Sequence, residues 1–415
     1  MNDILAANRV VSILISLHLA LGNHRPLESI TTQQETEYGC PASGLPVIIA
    51  DLNGDGRREV AFATRSGLEI YVLEKGKKPH LAFKFANRAT SLAMGTVRGW
   101  KTPKLLCLVE KSQREVGVSN PFLRFEIQSF EFGSDLSKPD VSSLAFSGIP
   151  TWIESATIHG GSRLLIPYMF RNEILLLGDR EELLRIPAFD EHEAGHLIPT
   201  ASRPSSPVGG DDLNFCDLVR VSDLDGDGND DLIARQQGLS GRYYVITRVG
   251  TAEQATTFHR YERHPRDFVV GNFGLETSRT MLIFSEYHSL PGLKSFISWW
   301  RRVPSKLDPS KLEEVEAVIY ESEDIIATAA RFSRKGKRDS LLLQEKASST
   351  IRSICLVDSK WQASEMRCNG YAADSMACFD VDGDGIDEVI MHLSNGQGCV
   401  QLRLSADGQE LREDL

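Results

Sequence analysis

The sequence predicts an all-β fold assembled from repeated units of strand, loop and strand. Three observations lead to that expectation. One acidic nonapeptide occurs three times, each copy stands between two short apolar runs, and the 415-residue chain exceeds the size at which a single compact core keeps growing. Hydrophobic residues at 41% and charged residues at 25% describe a folded chain, so the repeats should belong to an ordered molecule.

The three copies are Asp51-Leu-Asn-Gly-Asp-Gly-Arg-Arg-Glu59, Asp223-Leu-Asp-Gly-Asp-Gly-Asn-Asp-Asp231 and Asp380-Val-Asp-Gly-Asp-Gly-Ile-Asp-Glu388. Oxygen side chains stand at positions 1, 3 and 5, a glycine able to take a left-handed turn at position 6, and a carboxylate at position 9. That pattern wraps one hard cation, with the position-7 carbonyl completing the shell, and calcium is the expected ion. An EF-hand needs a bidentate Glu at position 12, where these loops carry Phe62, Ala234 and Met391. The flanking runs are also wrong for exiting helices. Val47-Ile-Ile-Ala, Leu218-Val-Arg-Val and Met376-Ala-Cys-Phe precede the loops, while Val60-Ala-Phe-Ala, Leu232-Ile-Ala and Val389-Ile-Met follow them, all reading as short buried strands.

The loops with their flanking strands resemble the FG-GAP or VCBS-type repeats of integrin α-subunit propellers and of many secreted proteins. In that family the loop joins two strands of a propeller blade, so the resemblance implies a β-propeller. It also implies the ligand sets: Asp51, Asn53, Asp55, the Arg57 carbonyl and Glu59; Asp223, Asp225, Asp227, the Asn229 carbonyl and Asp231; Asp380, Asp382, Asp384, the Ile386 carbonyl and Glu388. About three structural calcium ions are expected. Site one, with neutral Asn53, has one ligand charge fewer and is expected to bind most weakly.

The loops begin 172 and 157 residues apart, room for about three blades in each interval, since a four-stranded blade runs ~40–50 residues. Degenerate copies are expected at Leu92-Ala-Met-Gly-Thr before Leu105, at Ala156-Thr-Ile-His-Gly before Leu164, at Val269-Val-Gly-Asn-Phe-Gly before Met281, and at Ala329-Ala-Arg-Phe before Leu341. Three and four make a seven-bladed β-propeller with calcium loops in some blades, a closed ring that leaves no edge strand at its joint. Gly95, Thr157, Gly271 and Arg331 take the first loop position in these copies and lack its carboxylate. In the last copy Lys335 replaces the position-5 Asp while Gly336 and Asp339 remain, as though an ammonium stood in for the cation.

The formal charge of −11 argues against nucleic acid, and the basic runs Arg301-Arg302 and Arg334 to Arg338 are short enough to be solvated loops. Val10 to Leu21 is too short to span a bilayer but suits the apolar core of a signal peptide, with Ala20 and Gly22 placed for cleavage after residue 22. Asp3 and His18 fit that reading poorly, so a buried strand or helix is its rival. Seven cysteines are scattered without a C-x-x-C pair, and Cys355 with Cys368 is the pairing to test if the chain is exported.

His192-Glu193-Ala-Gly-His196 matches H-E-x-x-H, which on a helix binds zinc with Glu as general base. Pro187, Gly195 and Pro199 oppose a helix there, and a loop between blades is the better reading. No serine-hydrolase elbow, P-loop or dinucleotide fingerprint occurs. Glu181-Glu182 and Glu313-Glu314 read as surface pairs rather than glycosidase carboxylates. Among the five tryptophans, Trp100, Trp152 and Trp361 read as packing. Adjacent Trp299 and Trp300 point opposite ways on a strand, so one is expected to face solvent or a partner.

Together these readings lead to a possible signal peptide at 1–22, a segment at 23–46 able to close the ring, and a propeller over 47–415. The expected function is non-enzymatic binding of a protein or glycan through loops between blades, without a transmembrane segment, in a secreted, periplasmic or cell-surface protein. A propeller enzyme acting on polysaccharide as lyase or hydrolase, a zinc peptidase and a cytoplasmic scaffold stay as alternatives.

Overall fold

Val47–Ala50 (β1) and Glu59–Thr64 (β2) flank the first acidic loop and pair antiparallel, Val47 opposite Phe62 and Ala50 opposite Glu59. Gly67–Val72 (β3) and His80–Phe85 (β4) complete a four-stranded sheet in the order β1-β2-β3-β4. Such a meander is what short connections between consecutive strands produce.

The same order recurs along the chain in the computed structural model, which describes residues 46–64, 66–97, 100, 102–110, 125–144, 150–168, 173–178, 181–185, 215–224, 227–237, 241–251, 254–261, 264–271, 273, 280–289, 292–302, 312–322, 325–332, 340–345, 348–357, 360–368, 370–394, 398–405 and 410–413. The second sheet holds β5 (Ala89–Gly95), β6 (Lys104–Glu110), β7 (Phe125–Glu131) and β8 (Asp140–Leu144). The third holds β9 (Glu154–Ile158), β10 (Gly161–Pro167), β11 (Glu173–Leu177) and β12 (Glu181–Arg185). The fourth holds β13 (Phe215–Ser222), β14 (Asp231–Gln237), β15 (Gly241–Thr247) and β16 (Ala255–Tyr261). The fifth holds β17 (His264–Gly271), β18 (Thr280–Ser289), β19 (Gly292–Arg302) and β20 (Leu312–Ser322).

The remaining strands are β21 (Ile325–Ala330), β22 (Ser340–Glu345), β23 (Ile351–Val357), β24 (Lys360–Cys368), β25 (Ala373–Phe379), β26 (Glu388–Leu393), β27 (Cys399–Leu404) and β28 (Glu410–Glu413). Where seven separate sheets were expected, these eight strands form one sheet. Two meanders, β21 to β24 and β25 to β28, are joined because β24 runs parallel to β28, with Arg367 opposite Glu410 and Cys368 opposite Leu411.

The second strand of a meander is buried on both faces, which explains its continuous apolar run. Val60 and Phe62 pack with Ile390 of β26, while Ala61 and Ala63 pack with Leu105 and Cys107 of β6. Leu106 and Leu108 then turn to Leu164 and Ile166 of β10. Alternate residues of one strand thus serve two different cores, as the period of two requires. Further clusters lie between the third and fourth sheets, the fourth and fifth, β17 to β20 and β21 to β24, and β21 to β24 and β25 to β28. The first strands β1, β5, β9, β13, β17, β21 and β25 touch one another in that order, and β25 returns to β1. Outer strands such as β4, β8 and β12 are largely exposed.

Several expectations change at this level. Neither Trp299 nor Trp300 faces outward, because both faces of β19 are covered: Trp300 packs with Tyr243 and Phe268, and Trp299 with Trp361. Cys355 and Cys368 are free thiols, since the register sets Cys355 opposite Gln362 and turns Cys368 to the Ser349 carbonyl. Gly95 and Gly271 are still paired, opposite Lys104 and Thr280, so the first loop position is the residue after each. Thr157 lies in a tight hairpin whose turn, His159-Gly160, has positive φ at both residues. The apolar run at 10–21, the segment 23–45, His192 to His196 and Lys335 to Asp339 lie outside the described residues. Among the described residues no helix is long and apolar enough to cross a membrane.

Candidate metal centres

Each acidic loop joins the first and second strands of its meander, and the three are closed by the same hydrogen bonds. The position-1 carboxylate takes the N–H of position 5 on Oδ1: Asp55 N at 3.1 Å from Asp51, Asp227 N at 3.1 Å from Asp223, Asp384 N at 2.9 Å from Asp380. Its Oδ2 takes the N–H of position 6, from Gly56, Gly228 and Gly385. These glycines have φ near +85°, which a side chain at the same place would oppose. The position-5 Oδ1 then accepts the N–H of position 7, from Arg57, Asn229 and Ile386.

Position 9 is the first residue of the following strand and is buried: Glu59 and Glu388 are fully buried and Asp231 is 1% exposed. One of its oxygens accepts the position-2 N–H, from Leu52, Leu224 or Val381. The other oxygen of Glu59, Oε1, is buried and has no hydrogen-bond partner. Burial pushes the Glu59 carboxyl above the usual carboxylate range, against the hydrogen bond from Leu52, and the charges of Asp55 and Asp51 push it further. Carboxylate oxygens of Asp380, Asp382 and Asp384 lie within 4.8 Å of one another. Oxygen donors alone, an orphaned buried carboxylate oxygen and this convergence fit a hard divalent cation. Asp51, Asn53, Asp55, Arg57 and Glu59 share one hydrogen-bonded loop, and Asp380, Asp382, Asp384, Ile386 and Glu388 another; among the described residues only Asp380, Asp382 and Asp384 bring three such ligand atoms within that distance. Asp223, Asp227, Asn229 and Asp231 also close into one loop, while Asp225 lies outside the described residues.

No protein-family model matches the sequence, and no curated protein matches it. Solved structures do match. BBS1N, in a crystal structure of its complex with ARL6DN soaked with mercury, aligns with a TM-score of 0.52 at 11% identity, over 90% of this chain and 95% of that one. The Cps50 (Swd1) beta-propeller domain of Myceliophteria thermophila aligns with a TM-score of 0.50 at 12% identity, over 86% of this chain and 95% of that one. This chain has a β-propeller fold. Its four-stranded meanders are blades, and the acidic loops lie between first and second strands of the blades that begin at β1, β13 and β25.

Two further contact sets around the loops escaped the sequence. The first lies at position 8, which reaches the preceding blade. Asp230 donates its N–H to the Thr157 carbonyl at 2.8 Å and accepts the Thr157 N–H on Oδ2 at 2.6 Å. Asp387 repeats this with Arg331, at 2.8 and 2.7 Å. In loop one the residue is Arg58, whose guanidinium lies over the Phe379 ring, 5.5 Å from its centre, on the blade behind it around the ring. The aspartates were visible in the motif, but nothing local marked the strand they would meet.

The second set is basic. Arg57 places Nε and Nη2 on Asp55 Oδ2 and holds that carboxyl down at about 2. In loop three Arg403 donates Nη1 to Asp382 Oδ2 at 2.8 Å and Nη2 to Asp384 Oδ2, with Nε 3.9 Å from Glu388 Oε1. Lys75, from the blade of β1 to β4, sits 2.9 Å from the same Asp382 oxygen. Lys75 and Arg403 together hold the Asp382 carboxyl below its usual range. Arg403 is on β27 and Lys75 follows β3, so only the fold brings them to the loop.

Proposed function

We propose that the chain is a non-enzymatic, seven-bladed propeller of the FG-GAP or VCBS type, that its three acidic loops hold structural calcium, and that loops between its blades bind a protein partner. Dividing the eight-stranded sheet at its two-residue parallel joint leaves blades of four strands throughout, which supports the blade count. The observation that carries the calcium reading is the threefold repetition of one hydrogen-bonded loop ending in a buried carboxylate, with Glu59 Oε1 left without a partner. A carboxylate buried in that state is costly unless a cation meets it. BBS1N, of like fold, was solved in complex with ARL6DN, which favours a protein over a glycan as the partner class.

Thermal unfolding with excess calcium and with chelator, paired with elemental analysis, tests the metal. About three calcium ions per chain are expected, with no zinc. At a hundredfold excess over the dissociation constant, each ion adds about 2.7 kcal/mol, or roughly 3–4 °C in a chain of this length. An unchanged melting temperature with no bound calcium sinks the reading. A glycan array then separates the partner classes, a saturable hit pointing to a lectin instead.

A further inference from the structure

We propose that two of the acidic loops are latches: calcium in loop two fastens the blade of β9 to β12, and calcium in loop three fastens the blade of β21 to β24. Asp230 and Asp387 are then positioning residues for the ion, although neither is among its expected ligands. The inference rests on the calcium reading above and says where in the ring the ion acts.

One peptide unit carries the coupling. The carbonyl of position 7 is a candidate ligand, and the N–H of position 8 belongs to the same planar trans unit, so the two point in opposite directions. In loop two that N–H, from Asp230, meets the Thr157 carbonyl at 2.8 Å, and in loop three the N–H of Asp387 meets the Arg331 carbonyl at 2.8 Å. The Asn229 and Ile386 carbonyls are thereby turned away from the neighbouring blade. A cation on such a carbonyl polarises the unit and strengthens its N–H as a donor. Position 9 begins the next strand with a buried carboxylate bonded back to position 2, so an ion held by positions 7 and 9 fixes position 8 from both sides.

Each aspartate side chain closes the contact a second time. Asp230 Oδ2 accepts the Thr157 N–H at 2.6 Å, and Asp387 Oδ2 accepts the Arg331 N–H at 2.7 Å. Loop two adds a third bond, from the Gly160 N–H to Asn229 Oδ1 at 3.3 Å. Thr157 and Arg331 take the first loop position in blades that lack its carboxylate, so the ion serves a blade with no acidic loop of its own. Loop one is built differently: its position 8 is Arg58, whose guanidinium has no acceptor to offer and lies over Phe379. Backbone that the ion has already ordered need not be ordered again by the blade contact. Such coupling is reciprocal, so losing the contact must weaken calcium by the factor by which calcium strengthens the contact.

Hydrogen exchange of the full chain in calcium and in chelator tests this, beside calorimetric titration of the chelator-stripped protein. In wild type, calcium should slow the Thr157, Gly160 and Arg331 amides by roughly fivefold or more beyond any slowing in β5 and β17. Those two strands are the reference because the next blade round the ring has no acidic loop to reach them. Asp223→Ala, which breaks the loop-two ligand set, should abolish the effect at Thr157 and Gly160 and leave it at Arg331. Asp230→Ala should weaken the calcium heat that disappears in Asp223→Ala by roughly fivefold or more. Asp230→Asn loses the same charge but keeps an acceptor for the Thr157 N–H, and should lose much less. Equal losses in the two variants would trace the effect to charge, and slowing uniform around the ring would make it global; either overturns the inference while leaving calcium in the loops. No calcium heat and no slowing anywhere removes the calcium reading and this inference with it. If Asp230→Ala fails to fold by circular dichroism, Asp387→Ala and Asp387→Asn decide at loop three and Arg331 by the same comparison.

Discussion

Glu59 shows what the loops ask of a single residue. It is fully buried at the start of a strand, one oxygen bonded to Leu52 N–H and the other to nothing in the protein. Because burial raises its pKa in the fold, the folded state holds its proton more tightly than the unfolded state does. The sign follows: the penalty is absent at low pH and grows as pH rises from the unfolded carboxylate value, about 4.3, through the raised folded one. Glu59→Gln removes the charge and keeps an acceptor for Leu52. In chelator at neutral pH it should be more stable than wild type by about 1–2 kcal/mol, and in excess calcium it should lose that advantage along with one bound ion. Urea unfolding in the two conditions measures both; a less stable variant in chelator would show that the buried charge is already compensated. Such candidate ligands were legible in the sequence because position 1 to position 9 is one local turn, closed by its own backbone. Arg403 was not legible, because its place beside Glu388 is set by strand pairing.

At the scale of elements, the position-8 aspartates join one blade to the next. Asp387 meets the end of β21 through two hydrogen bonds, one from its backbone and one to its side chain, and Asp230 does the same at Thr157. Asp387→Ala keeps the backbone bond and removes the side-chain one, which is charge-assisted, and should cost about 1.5–3 kcal/mol, whereas Asp387→Asn, which retains an acceptor, should cost less than half of that. Equal losses in the two variants, read from urea midpoints, would mean that the contact with Arg331 N–H contributes little. The strands themselves were readable as apolar runs. Their facing was less so: a strand between two neighbouring blades lacks the alternation of polar and apolar residues that marks a half-exposed one, and this is why Trp299 and Trp300 on β19 read as one inward and one outward residue but pack into two separate cores. The joint between β24 and β28 was also hidden, since its two residue pairs carry no sequence pattern.

For the whole molecule the decisive place is where β25 to β28 meets β1 to β4, the last and first of the described blades, which among the described residues are held together by side chains. Phe62, Tyr71 and His392 pack edge-on and tilted there, around Val60 and Ile390. Beside them lies a buried polar group: Glu69 accepts from Tyr71 at 2.7 Å and Lys84 at 2.6 Å, and meets His392 Nε2 of the other blade at 3.2 Å. Farther out, Lys75 reaches Asp382 and Lys78 reaches Glu413 across the same seam. Burial pushes the Glu69 carboxyl up, but the hydrogen bonds from Lys84, Tyr71 and His392 outweigh it and hold the carboxyl below its usual range. A depressed pKa in the fold means stability that is present above the unfolded value, about 4.3, and lost as pH falls through the lower folded value. Glu69→Gln should therefore cost about 2–3 kcal/mol at pH 7, a difference that shrinks steadily as pH is lowered below 4. Native-state hydrogen exchange at pH 7 should show where it acts: β2, β3 and β26 lose protection in the variant before β10 or β14 do, because the ring opens where the first and last described blades meet. A loss of stability independent of pH would deny the ionised carboxylate its role, and a uniform loss of protection around the ring would mean that the blades unfold together rather than from this seam.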